Sequence, residues 1–316
     1  MKNVIHRTLI LLTFFLASCG GRDPLPDAQA ASPTGGAAGS SMEGDPDARD
    51  GRDAAAMTAE IVAMLQSLYN DDDPGKLRQL AAPDLRHYSS KIADGVEAWA
   101  DFAASVAHSK PLIAIHQTVS EGDTVGVHAH YRWNPDRELD GGAGVAVAHV
   151  FTIESGKIVA AIELTQPVQT ETASGNDMFS QQRPSVTPQD AERNRATAEK
   201  VMTEFLPGNT SLRGDLLGDY VQHNPLIPDG AEGIAGFVDS LGGVANDYRW
   251  TIVDGGRAWS FTRYHANPSI EIPSLVTVDM WLFDGNGKIA EHWDVLEPDF
   301  TSPSGHTFDD FVTVER

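Results

Sequence analysis

A carboxylate set in an apolar strand is the residue of this chain best suited to chemistry. Along Leu275-Val-Thr-Val-Asp-Met-Trp-Leu-Phe283 the two-residue period of a strand puts Leu275, Thr277, Asp279, Trp281 and Phe283 on one face. A pocket-lining face of that composition desolvates Asp279 and raises its pKa, which suits it to take a proton from carbon beside a carbonyl. The plainer alternative is an Asp279 that faces solvent or caps a neighbouring strand. Two histidines are the natural helpers. His223 stands in Gln222-His-Asn-Pro225, just before a turn, and His292 in Glu291-His-Trp-Asp294 on the last strand. Each can orient or protonate a substrate oxygen near neutral pH, or else bridge a loop to a sheet with both nitrogens satisfied. On the last strand His292 and Asp294 share one face, and Glu291, Trp293 and Val295 the other; the alternation does not tell which face looks inward. Gln222, Trp281 and Asp294 complete the candidate ligand contacts of this region.

These residues belong to a unit that is written twice. From about Ala54 the text becomes globular and repeats at a spacing of about 130 residues. Each copy opens on helical text, with Ile61, Met64, Leu65 and Leu68 in the first and Val201, Met202, Phe205 and Leu206 in the second. Asp84 to Gly95 then lines up with Asp219 to Gly230, and a short amphipathic helix follows each. The C-terminal halves are strand-like, with Ser155-Gly156-Lys-Ile158 answering Gly285-Asn-Gly-Lys-Ile289. Helices followed by strands predict an α+β unit, a curved sheet with its helices on one face. The linker falls near Ser180–Thr187.

In this register the first copy departs where the chemistry would be. Asp279 is matched by His149, His223 by Tyr88, His292 by Ala161, Trp293 by Ile162 and Asp294 by Glu163. Its own additions are His87, His128 and His130, the last two sharing a strand face. With Tyr88, His128, His130 and His149 as ligand contacts, this copy is expected to be a binding or structural partner to the second. Two histidines on one face can ligate a metal, but the third ligand is missing from any local motif and would have to come from His149 or His87. No metal and no cofactor is expected.

Composition narrows the field. With 45 Asp+Glu against 23 Lys+Arg the formal charge is −22, which argues against a nucleic-acid partner or a polybasic membrane-surface protein. The single Cys excludes an intrachain disulfide and a Cys-based zinc site. That residue, Cys19, follows a basic start and the apolar run Leu9–Ala17, the layout of a secretory signal. Leu16-Ala-Ser-Cys19-Gly20 resembles the lipobox of bacterial lipoproteins, which implies cleavage after residue 18 and a lipid on Cys19 as the membrane anchor. Gly20 rather than Asp after the Cys favours an outer-membrane or periplasmic address. Residues 19–53, rich in Gly, Ala, Ser, Pro and Asp, are expected to be a flexible tether.

Tyr220-Val-Gln-His-Asn-Pro-Leu-Ile-Pro-Asp-Gly230, Val278-Asp-Met-Trp-Leu-Phe283 and Gly287-Lys-Ile-Ala-Glu-His-Trp-Asp-Val295 together resemble the SnoaL-like branch of the NTF2-like superfamily. The first copy resembles it more weakly, through Val127-His-Ala-His130, Gly156-Lys-Ile158 and Ser174-Gly-Asn-Asp-Met-Phe179. The resemblance implies two tandem cones, over 54–180 and 188–310, each a bent antiparallel sheet wrapped around helices with an apolar pocket, paired as an intrachain pseudo-dimer. It also implies that Asp279, on the strand that carries the acid/base Asp of aldol-cyclising members, is the catalytic base, with His223 and His292 as helpers. The function expected is a lyase or isomerase of the aldol-cyclase type acting on a small apolar carbonyl compound. The alternatives are a non-catalytic ligand-binding lipoprotein and an assembly module. An open cavity around Asp279 would separate the first two from the third.

Overall fold

The structure is a computed structural model that describes residues 46–107, 111–132, 143–186, 190–268 and 272–310, the side chains from residue 54 on. Cys19, the signal-like segment and most of the expected tether lie outside the described residues. Helix α1, Pro46–Asn70, starts inside the stretch expected to be tether, with Pro at its first position, where the missing N–H goes unneeded. Its inward stripe is the predicted one: Ile61, Met64, Leu65 and Leu68 are buried. Then come α2 (Gly75–Leu80), β1 (Ala81–Tyr88), α3 (Val96–Ala107), β2 (Leu112–Glu121), β3 (Thr124–Arg132), β4 (Val145–Glu154) and β5 (Lys157–Pro167). The second unit repeats the series. Helix α4 (Ala191–Lys200) runs into a π turn over Val201–Phe205 and is followed by the short α5 (Arg213–Leu216). Next are β6 (Leu217–Gln222), α6 (Gly230–Leu241), β7 (Asn246–Asp254), β8 (Arg257–Tyr264), β9 (Leu275–Phe283) and β10 (Ile289–Pro298). Among the described residues no helix is long and apolar enough to cross a membrane.

Each unit has one mixed five-stranded sheet, in the order β1-β5-β4-β3-β2 and β6-β10-β9-β8-β7. Only the first pair of each is parallel, β1 with β5 and β6 with β10. Side-chain alternation divides every strand between two buried layers. In the first unit Val125, Val127, Ala129, Tyr131 and Phe151 pack against Leu65, Leu68 and Trp99 of the helices. In the second, Trp281 and Phe283 pack against Phe205, Ile234 and Val238.

The opposite faces of the two sheets meet each other. Val119, Ala148, Val150 and Leu164 form one layer with Trp259, Phe261, Val278, Met280, Trp293 and Val295. Gly126 lets the sheets come this close, because a Cβ there would stand 2.6 Å from the Trp259 ring. The C-terminal arms cross between units. Asn176 Nδ2 donates to Asp229 Oδ1 of the second unit at 3.1 Å, and His306 Nε2 lies 2.9 Å from Asp94 Oδ2 of the first. Met178 and Phe308, two residues beyond these contacts, both enter the layer between the sheets. The segment near Ser180–Thr187, expected only to link the copies, starts as part of an arm bound to β10: the backbone N–H groups of Gln182 and Arg183 donate to Glu291 at 2.7 and 2.8 Å.

Candidate functional site

Strand register assembles the site in the second unit. On β10, His292 stands opposite Trp281 of β9 and beside Gln222 of β6, while Asp294 stands directly opposite Asp279. All of these face the helices, so the inward face of β10 is the one that carries His292 and Asp294. Asp279, His292 and Asp294 are 2, 2 and 5% exposed. Asp279 faces the helices and is sealed from solvent.

The hydrogen bonds assign the protons. Asn224 N–H donates to Gln222 Oε1 at 2.8 Å, and an N–H can only donate, so that atom is the amide oxygen. The same oxygen lies 2.8 Å from His292 Nδ1, which must therefore carry a hydrogen. His292 Nε2 is thus turned to the carboxylates, 3.1 Å from Asp279 Oδ1 and 4.0 Å from Asp294 Oδ2. Tyr264 donates to Asp279 Oδ2 at 2.9 Å, and Asn224 Nδ2 donates to Asp294 Oδ2 at 2.6 Å. Gln222 Nε2 donates to Tyr220 Oη at 3.0 Å, which leaves the phenol proton for another acceptor. Trp281 stacks on the His292 ring, centroids 4.2 Å apart.

Burial first, and then the neighbouring carboxylates, push the Tyr220 and Tyr264 phenols well above their ordinary range, so both stay protonated donors. Burial, with the Asp279 charge added, pushes Asp294 up to about 6 against the opposing pull of His292 and Asn224. A chain of donors and acceptors from Gln222 through His292 and Asp279 to Tyr264 can hold a proton and pass it on. Asp279, His292 and Asp294 also offer three potential ligand atoms within 4.8 Å of one another.

Of the predicted residues, Asp279, His292, Gln222, Asp294 and Trp281 come together; His223 does not. One position past the inward Gln222, it points to the opposite side, where its Nε2 meets Glu291 at 2.7 Å and its ring stacks on Trp293. It binds the arm, its Nδ1 donating to the Asp177 carbonyl, and cannot assist Asp279. Tyr220 and Tyr264 were not anticipated. Tyr220 was legible from alternation, lying two residues before Gln222. Tyr264 needed the β8–β9 register, which places Ser260, four residues earlier, against Asp279.

The first unit keeps the ground plan with other groups. His149 stands opposite Glu163, as Asp279 does opposite Asp294. Tyr131 Oη lies 2.6 Å from His149 Nε2, as Tyr264 lies on Asp279. His87 takes the place of Gln222, paired with Ala161. Tyr88, His128 and His130 point the other way, Tyr88 and His128 against the second unit. A third ligand for His128 and His130 therefore cannot be His149 or His87, which lie across the sheet; the histidine beside them is His116 of β2, and the Phe179 ring stacks on all three. His128 Nδ1 faces the Gln117 amide nitrogen, whose oxygen accepts from Arg257, so Nδ1 is an acceptor. A metal-binding histidine normally donates through its other nitrogen, and His128 is arranged against ligation through Nε2.

Burial holds His87 and His149 neutral, their pKa lowered to about 3, and pushes Glu163 up to about 7. The folded state thus favours protonated Glu163: that contribution is complete below the ordinary value of 4.5 and is lost as pH rises through 7. Glu163→Gln removes the dependence. Measured by urea unfolding, the stability of the variant relative to wild type should rise by about 2 kcal/mol between pH 5.5 and pH 8. A difference that stays flat with pH contradicts the assignment.

Two surface clefts of about 520 and 460 Å3 lie elsewhere, one lined by Thr203, Tyr248 and Arg249, the other by Ala59, Val62 and Asp254. Neither is lined by Asp279, His292 or Asp294.

Residues 61–161 match the SnoaL-like domain family. The match falls on the unit expected to be the more divergent. No curated protein matches the chain. Among solved structures the chain is similar to TsrD from Streptomyces laurentii, at 20% identity and a TM-score of 0.31 over 35% of this chain and 89% of that one. It is also similar to a provisionally assigned SnoaL-like polyketide cyclase from Jannaschia sp. CCS1, at 17% identity and a TM-score of 0.32, covering 40% and 92%. An NTF2-like protein of unknown function from Mesorhizobium loti follows at 21% and 0.30, covering 35% and 92%. The α+β class and the two tandem units expected from sequence are those of the structure, with mixed sheets in place of wholly antiparallel ones.

Proposed function

We propose, taking the SnoaL-like domain at residues 61–161 as premise, that this chain is a proton-transfer protein of the aldol-cyclase or isomerase type whose working centre is Asp279 in the second unit. The observation that carries the reading is the fixed orientation of His292: Gln222 holds Nδ1 as a donor, so Nε2 and Asp279 share a proton at 3.1 Å. Asp279 is the base towards a carbon acid, Tyr264 and His292 hold it in place, and Tyr220 is the donor to a developing enolate oxygen. Trp281 and the helix-side residues favour a small apolar carbonyl compound. The second unit works paired with the first, as a pseudo-dimer within one chain.

The test is solvent deuterium uptake at the carbon beside the carbonyl in a panel of small apolar ketones and β-dicarbonyl compounds. Uptake above the buffer rate supports the reading. One observation favours a second reading, an assembly module with a polar core: Asp279 is 2% exposed. No uptake across the panel, together with no binding of any member, decides for that reading.

The address is part of the proposal. The single Cys, directly after Leu16-Ala-Ser18, supports lipidation at Cys19 and attachment to a bacterial membrane from outside the cytoplasm. Cys19→Ser should stall processing or move the protein out of the membrane fraction. A variant that is processed and sediments with membranes as wild type does removes this part of the reading.

A further inference from the structure

In the second unit three hydrogen-bond acceptors converge where one proton cannot satisfy them all. Asp279 and Asp294 stand directly opposite each other on β9 and β10, a like-charge pair that destabilises a sheet unless a cation or proton intervenes. The third acceptor is His292 Nε2, turned to both carboxylates because Gln222 holds Nδ1. A proton bridging His292 and Asp279 leaves Asp294 at 4.0 Å from the ring, and Asp294 Oδ1, on a side chain 95% buried, has no hydrogen-bond partner among the described residues. An unpaired buried carboxylate oxygen is costly, and some group must meet it.

We propose that Asp279, His292 and Asp294 form a binding site for one divalent first-row transition-metal ion of the zinc–manganese class. Each side chain is already held from behind by a neutral group. Gln222 accepts from His292, Tyr264 donates to Asp279 at 2.9 Å, and Asn224 donates to Asp294 at 2.6 Å. Such outer partners orient metal ligands and set their affinity. One imidazole and two carboxylates balance the charge of a dication and suit zinc or manganese better than calcium, which takes six to eight oxygens. The ligand atoms, within 4.8 Å of one another, need only a small inward shift to share an ion. On binding, the proton between Asp279 and His292 leaves to solvent and the ion takes its place. The site uses residues of the proton-transfer centre but does not depend on that reading: EDTA-treated protein tests proton transfer, and metal titration tests this site.

The experiment is calorimetric titration of the EDTA-treated full chain with Zn2+ and separately Mn2+, in buffers of different ionisation heat, beside thermal unfolding. The expected result is one ion per chain, release of about one proton and a raised Tm. Asp294→Asn should remove the ion and the proton release. Gln222→Leu, which leaves all three ligands in place, should weaken binding ~10-fold or more through the freed imidazole. The Asn variant keeps every other carboxylate of this acidic chain, so binding that survives in it is an adventitious ion only and overturns the proposal. So does wild-type protein that takes up neither metal after long incubation. Should Asp294→Asn fail to fold, Gln222→Leu decides alone, and affinity equal to wild type there sinks the site.

Discussion

Asp279→Asn should slow deuterium uptake at the carbonyl-adjacent carbon ~100-fold or more, with the far-ultraviolet circular dichroism of the fold retained. The substitution keeps the size of the side chain and one acceptor oxygen for Tyr264 while removing the basicity. Asp279 Oδ1 faces His292 Nε2 at 3.1 Å and Oδ2 accepts from Tyr264 at 2.9 Å, so either carboxylate edge can be freed for a carbon acid only by exchanging one of these contacts. The replacement of its counterpart in the first unit, His149→Asn, should cost far less. His149 is neutral and is occupied by Tyr131, and Ala161 takes the place that His292 has in the second unit. Equal losses in the two variants would show that both units, or neither, carry the chemistry. An Asp279→Asn protein as fast as wild type ends the assignment.

The largest effect on stability should come from the other side of the same sheet. His223→Ala should lower stability by about 3–5 kcal/mol and Tm by roughly 10 °C. His223 Nδ1 faces the carbonyl oxygen of Asp177 and must donate to it, and Nε2 meets Glu291 Oε1 at 2.7 Å; both partners of this pair are fully buried. Glu291 also accepts the backbone N–H groups of Gln182 and Arg183. Removing His223 leaves Glu291 buried without its side-chain partner and releases the arm at Asp177. Glu291→Gln should cost a similar amount, and the double variant His223→Ala/Glu291→Gln clearly less than the sum, because the uncompensated charge is then gone. Losses below about 1 kcal/mol would mean that the arm is held by its apolar contacts alone.

The sequence by itself determined the repeat, the helix stripes, the strand alternation and the equivalence of His149 with Asp279 and Glu163 with Asp294. All of these depend on the side-chain periods of helices and strands and on a register that the two copies share. Alternation also told correctly that His292 and Asp294 lie on one face and Glu291 and Trp293 on the other. It could not tell which face looks inward, because in this molecule both faces of each sheet are buried, one under helices and one under the other sheet, and β9 is apolar on both. Only the tertiary structure decided that. Pairing of β10 between β6 and β9 brought Gln222, His292 and Asp279 into one chain of hydrogen bonds, and the step from Gln222 to His223 turned the expected helper outward. The exchange of arms, which gives His223 and Glu291 their partners, joins residues 46 to 109 positions apart along the chain. No local period records such contacts, since they exist only once the two sheets have stacked.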